Sequence, residues 1–113
     1  MTLNINLINN SGGKKLNEKY IVNKIMKYLK GLPHCFCFKE HGGMYGTSGI
    51  PDIICCINGL FVAFEVKTEK GKLSKLQEIT IEKIKKAKGK AYKVTSLEEV
   101  KDIVEQINKD TKK

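Results

Sequence analysis

Asn58-Gly59 lies between two apolar runs, residues 50–57 and 60–67, and this dipeptide constrains the fold more than any other feature of the chain. Both residues tolerate the positive φ that a two-residue type I′ turn requires, so the segment reads as a tight β-hairpin. A two-residue loop places Ile57 across from Leu60 and carries that register back along both strands until Asp52 faces Glu65. Directly opposed residues have Cβ atoms about 4.5–5.5 Å apart. Lys67 lies two residues beyond Glu65 and therefore on the same face. The rest of the hairpin, from Ile53 to Ile57 and from Leu60 to Phe64, is apolar on both faces, which places the pair in the middle of a sheet. Two carboxylates and one ammonium thus converge at the end of a buried hairpin.

The flanking segments supply helices and further strands. Ile21, Val22, Ile25, Met26 and Leu29 recur at helical spacing, which predicts a helix over residues 17–30 with Asn17 as its N-cap and Gly31 and Pro33 at its end. Residues 34–40 alternate Phe36 and Phe38 against Cys35 and Cys37, a short strand. Residues 41–49 hold four glycines and read as a loop. Beyond Lys67 a polar loop leads to a helix over residues 74–88, with Gly89 placed to terminate it. Residues 90–94 form a short strand, and Ser96 with Glu99 makes the capping box of a last helix. The order α-β-β-β-α-β-α with no repeat implies an α/β fold, a mixed sheet flanked by helices. Residues 1–15 read as a flexible N-terminal arm and residues 16–113 as a single domain.

Charge and cysteine usage narrow the class. The chain has 113 residues, enough for one domain, and its formal charge of +9 comes from 21 lysines against 12 acids, with no arginine. Such an excess fits a polyanion, nucleic acid above all, although a solvated lysine-rich face carries the same signature. Arginine is the commonest reader of guanine edges, so an all-lysine surface favours recognition of backbone or shape. No run approaches the roughly 20 apolar residues of a membrane span, and no secretory signal opens the chain. Cys35, Cys37, Cys55 and Cys56 match no common zinc spacing and read as buried reduced thiols, implying a reducing, cytoplasmic compartment.

Two carboxylates forced together repel, and one lysine neutralises only one of them. A salt bridge from Lys67 to one acid is the plain structural solution. A hard divalent cation with oxygen ligands, Mg²⁺ or Mn²⁺, relieves the repulsion more fully. Lys70, Lys72 and Lys75 follow closely and are placed to contact phosphates, and Tyr45, on the glycine loop, is placed to stack on a base or sugar. His34 and His41 read as fold or surface residues.

Gly49-Ile50-Pro51-Asp52 followed by Glu65-Val66-Lys67 resembles the G-x-P-D…E-x-K signature of the PD-(D/E)XK nucleases. Within them it resembles the virus-type replication-repair nuclease (VRR-NUC) family, in its stand-alone phage or bacterial form. The resemblance covers residues 18–100, and Glu18 and Gln77 stand where that family carries an acid on the first helix and a glutamine on the helix after E-x-K. It implies a restriction-endonuclease-like fold and Mg²⁺- or Mn²⁺-dependent hydrolysis of phosphodiester bonds. Asp52, Glu65, the Val66 backbone carbonyl and Glu18 would hold the metal, with Lys67 and Gln77 completing the catalytic set. Glu18 also reads as an ordinary acid favoured by the helix dipole, and Gln77 as half of a capping box with Ser74. The resemblance further implies a homodimer acting on branched DNA as a Holliday junction resolvase and serving DNA repair. The contrasting readings are a catalytically silent DNA-binding module and a restriction-like nuclease on ordinary duplex. The N-terminal arm or the apolar stripe of the last helix (Leu97, Val100, Ile103, Val104, Ile107) is available as a dimer interface or as internal packing.

Overall fold

The computed structural model describes residues 14–40 and 49–111. Its elements follow the order read from the sequence: α1 (Lys14–Lys30), β1 (Cys35–Lys39), β2 (Ile53–Ile57), β3 (Leu60–Val66), α2 (Lys75–Lys86), β4 (Lys90–Val94) and α3 (Leu97–Thr111). The four strands form one mixed sheet in the order β1-β2-β3-β4. β1–β2 and β2–β3 are antiparallel, whereas β3 and β4 run parallel and are joined through α2, the crossover that a parallel pair requires.

Three layers result. α1 and α3 cover one face of the sheet, where Ile25, Met26 and Leu29 from α1 and Val100, Val104 and Ile107 from α3 meet Ile53, Cys55, Ile57, Val62, Phe64 and Val66. The stripe on α3 is therefore internal packing, not a free interface: Val100, Val104 and Ile107 are fully buried, and Leu97 and Ile103 pack against the same core. The other face carries α2 through a smaller cluster, Ala63, Ala91 and Ile81, with Ile54, Leu73 and Ile84 alongside. α2 leaves part of that face open, so the hairpin is less enclosed than its composition implies. Phe36 is 70% exposed and Phe38 and Phe61 are each 45% exposed.

Several boundaries differ from those read in the sequence. α1 begins at Lys14, because Lys-Lys-Leu continue the helix readily, and Asn17 is an interior residue instead of a cap. Lys14 and Lys15, expected in the arm, thus belong to α1, while residues 1–13 lie outside the described residues. At the end of α2 the left-handed residue is Lys88 (φ 77), and Gly89 follows with its N–H donating to Ile84 O at 2.9 Å. Glycine is needed at position 89 for space, since a Cβ there would sit 3.0 Å from Ile84 Cγ2 and 3.2 Å from Phe61 Cδ1. The expected capping box of α3 forms only in part. Ser96 Oγ accepts from Glu99 N, but the Glu99 carboxylate accepts from Thr95 N and Thr95 Oγ1.

The cysteines divide by face, as alternation requires. Cys37 and Cys55 are buried as directly opposed residues of β1 and β2, Cys35 is half-buried, and Cys56 is exposed on the α2 side, contrary to the reading of all four as buried. Burial pushes the Cys35 thiol up to about 11 and raises Cys37 and Cys55 as well, which keeps them protonated and unreactive. Among the described residues no helix is long and apolar enough to cross a membrane.

Candidate active site at the end of the hairpin

The turn positions the site. Asn58 (φ 53) and Gly59 (φ 82) both adopt positive φ, and the Asn58 side chain is held by Asn108 Oδ1 at 2.8 Å and Thr111 Oγ1 at 3.0 Å on α3. Ile57 faces Leu60 and Ile53 faces Phe64, so the register is the one expected, and the next pair outward is Asp52 and Glu65. Residues flanking a two-residue turn form a hydrogen-bonded pair, and pair types alternate along the ladder. Asp52 and Glu65 therefore fall at a non-hydrogen-bonded position, the closer kind, with Cα atoms about 4.5 Å apart.

Both carboxylates are held in place by their surroundings. The Asp52 carbonyl accepts from Glu40 N at 2.7 Å, and Asp52 Oδ2 accepts from Val66 N at 2.8 Å, so the side chain extends the ladder where the strand pairing ends. Ahead of it, Gly49 is pressed onto α2. A Cβ at Gly49 would lie 2.9 Å from Leu76 O, and its φ of 85 already favours glycine. Glu65 is only 3% exposed. Its Oε2 accepts from Gln77 Nε2 at 2.9 Å and faces Lys67 Nζ at 3.7 Å, while Oε1 is buried without a partner. Burial first, and then the Asp52 charge, push the Glu65 carboxyl up to about 8, with Lys67 opposing the rise.

Gln77 both caps α2 and reaches Glu65. Its backbone N–H donates to Ser74 Oγ and its Oε1 accepts from Ser74 N at 2.8 Å, completing the capping box of α2, while its amide nitrogen reaches Glu65. A pair of substitutions separates the two roles. Ser74→Ala and Gln77→Ala are each expected to lower stability by about 1 kcal/mol through the cap. Only Gln77→Ala also removes the bond to Glu65. Melting curves check this, and a Gln77→Ala protein that melts no lower than Ser74→Ala would show that the bond to Glu65 adds nothing.

Glu18 is half-buried near the start of α1. It shares the helical line of Ile25 and Leu29, seven and eleven residues on, which points it along the core-facing stripe toward the end of the sheet. It makes no hydrogen bond or ion pair with Asp52 or Glu65 among the described residues, and no group of three or more His, Cys, Asp or Glu side chains converges there to hold a metal. Lys70, Lys72 and Lys75 are exposed around the start of α2. Tyr45 and His41 lie outside the described residues, and His34 sits at the opposite end of the sheet beside Asn58. Sequence reading missed two charged neighbours: Lys93, which pairs with Glu65 across β3–β4, and Glu40, which pairs with Asp52. Neither pairing is fixed by a tight turn, so no local signal announced them.

What the residues can hold is set by their chemistry. The pair offers only hard oxygen donors, and one of them, Glu65 Oε1, is buried and unpartnered. Mg²⁺ characteristically binds through one or two protein carboxylates and keeps several waters, so the pair fits such an ion.

This arrangement defines the class: an α/β domain, its mixed sheet flanked by helices and its acidic pair at the end of the central hairpin. No family model matches the sequence, and no curated protein matches it significantly. Among solved structures, one described as "VRR_NUC domain" is 23% identical and superimposes with a TM-score of 0.66 over 79% of this chain and 95% of its own. Another, described as "VRR_NUC domain protein", is 18% identical with a TM-score of 0.63, covering 81% of this chain and 88% of its own. The chain has the VRR_NUC fold.

Proposed function

We propose that the protein is a VRR-NUC endonuclease that uses Mg²⁺ or Mn²⁺ to hydrolyse phosphodiester bonds in branched DNA, as a Holliday junction resolvase. The observation that carries this reading is the pairing of half-buried Asp52 with buried Glu65, Lys67 beside them, at the end of the central hairpin of a VRR_NUC fold. Asp52, Glu65 and the Val66 carbonyl would hold the ion, with Glu18 approaching from α1. When bound, the ion supplies a water that is nucleophilic near neutral pH and stabilises charge on the phosphate. The chain's own residues do the rest. Val66 N holds Asp52, and Gln77 and Lys67 hold Glu65, so the carboxylates are fixed before substrate arrives. Lys67 orients the attacking water and stabilises the charged transition state. Lys70, Lys72 and Lys75 bind the flanking phosphates.

Cutting two opposed strands takes two sites, which a two-fold homodimer provides. The four free cysteines suit the reducing cytoplasm of a bacterial or phage-infected cell. Labelled four-way junction, flap and linear duplex, each incubated with and without Mg²⁺ or Mn²⁺, test the proposal. The expected result is metal-dependent cutting of the junction well ahead of duplex. Equal cutting of all three would remove the structure-specific part, and salt-sensitive binding without cutting would identify a silent DNA-binding module.

A further inference from the structure

On the α2 side of the sheet the register aligns one charged row across all four strands. Glu40 N donates to Asp52 O at 2.7 Å, which continues the β1–β2 pairing one step beyond Lys39 and Ile53. Asp52 faces Glu65 as the next pair of the hairpin, and Glu65 pairs with Lys93. Alternation along β1 puts Glu40 on the side of Phe36 and Phe38, whose partners Cys56 and Ile54 share the Asp52 side. The next row inward is Phe38, Ile54, Ala63 and Ala91, wholly apolar. The row is therefore Glu40, Asp52, Glu65, Lys93, with a carboxylate on either side of Asp52.

The cations are distributed unevenly along this row. Lys67 faces Glu65, and Lys93 stands on the far side of Glu65 from Asp52. Lys39, next to Glu40 in sequence, points to the opposite face, where its Nζ donates to Asn23 Oδ1 at 3.2 Å. Independently, Glu65 Oε1 is buried in the row with no hydrogen-bond partner among the described residues.

We infer that Glu40 is a further carboxylate ligand of the cation, supplying an oxygen from the β1 side of Asp52. The inference rests on the reading of Asp52 and Glu65 as a metal pair. Opposed residues of a hydrogen-bonded pair have Cα atoms about 5.5 Å apart, a gap that the three rotatable bonds of a glutamate side chain can bridge. Among the described residues no three such side chains are placed together to hold a metal, so ligation requires Glu40 to rotate its side chain while its backbone stays bonded to Asp52.

The test uses the full chain and a lanthanide, Tb³⁺, as the probe, alongside Mn²⁺. Luminescence lifetimes in H₂O and D₂O count the waters on bound Tb³⁺, and titration gives the affinities. Glu40→Gln is expected to weaken both ions about tenfold and to admit one more coordinated water, with the melting temperature of the metal-free protein unchanged. Glu40→Asp keeps the charge but retracts the oxygen by one methylene, and it is expected to admit the extra water as well. If Glu40→Asp matches wild type while Glu40→Gln weakens binding, Glu40 contributes only charge and the inference is overturned. If both variants match wild type and Asp52→Asn abolishes binding, Glu40 is not a ligand and the metal pair stands. If wild type itself binds neither ion, the metal reading fails together with the inference.

Discussion

Asp52→Asn and Lys67→Ala proteins are expected to cleave a four-way junction about a thousandfold more slowly than wild type while binding it, without metal, within a few-fold of wild-type affinity. The magnitude follows from what each residue does at the reacting phosphate, since deleting one pre-positioned electrostatic group from an active site typically costs about 10²–10³ in rate. Asp52→Asn keeps an oxygen able to accept from Val66 N at the position now 2.8 Å away, so the end of the hairpin should hold its shape. What disappears is the negative charge. Lys67→Ala removes the ammonium 3.7 Å from Glu65 Oε2 and, with it, the larger of the influences that lower the Glu65 carboxyl. Lys67→Arg should not rescue cleavage, because a planar guanidinium does not replace a compact ammonium in a half-buried pair. Initial rates at saturating Mn²⁺, with binding followed separately by fluorescence anisotropy, check all three. A loss of binding as large as the loss of cleavage would mean that these residues hold DNA and do not act on the bond. An Asp52→Asn protein that cleaves normally would remove the mechanism.

Much of this site was legible because one local signal fixes it. Asn58-Gly59 permits a single turn type, the turn sets the register, and the register carries Asp52 to Glu65 with no further information. Ser74 and Gln77 were readable for the same reason, since a capping box needs only four consecutive residues. The contact from Gln77 to Glu65 was not readable from spacing, as it depends on how α2 lies on the sheet. The row beyond the hairpin was hidden by distance. Glu40 is separated from Asp52 by a glycine-rich stretch of sequence whose length does not define a register, and Lys93 reaches Glu65 only through the parallel β3–α2–β4 crossover. Periodicity found α1 but not its first turn, because Lys-Lys-Leu has no apolar stripe to reveal it and Asn17 imitates a cap. The hydrophobic pattern likewise gave the strands without revealing that α2 covers only part of its face, where Phe36 lies 70% exposed.

Glu65 is also expected to make the metal-free protein less stable as pH rises. Its carboxyl titrates at about 8 in the folded chain and near 4.5 when released from burial and from Asp52. Below about 4.5 both states hold the proton, and the group gives no pH dependence. Between these values the folded state keeps a proton that the unfolded state has lost, so stability falls with rising pH and levels off above about 8. Glu65→Gln removes that slope. Relative to wild type, the variant should melt at about the same temperature near pH 4.5 and about 5 °C or more higher at pH 8, in buffer containing a chelator. A variant that melts lower than wild type at pH 8 would show that the buried carboxylate is stabilised by its neighbours and not strained by them. Added Mn²⁺ should reverse the order. A ligating carboxylate must be deprotonated, so the ion competes with the proton and raises the wild-type melting temperature more at pH 8 than at pH 6. Glu65→Gln should respond little at either pH. The two halves of the experiment concern one oxygen pair: the arrangement that makes Glu65 unfavourable in the metal-free protein is the one that would give a divalent cation its purchase. A stability cost at pH 8 that Mn²⁺ fails to relieve would separate the strain from the metal and leave the neighbouring lysines, Lys67 foremost, as the counter-charge of the pair.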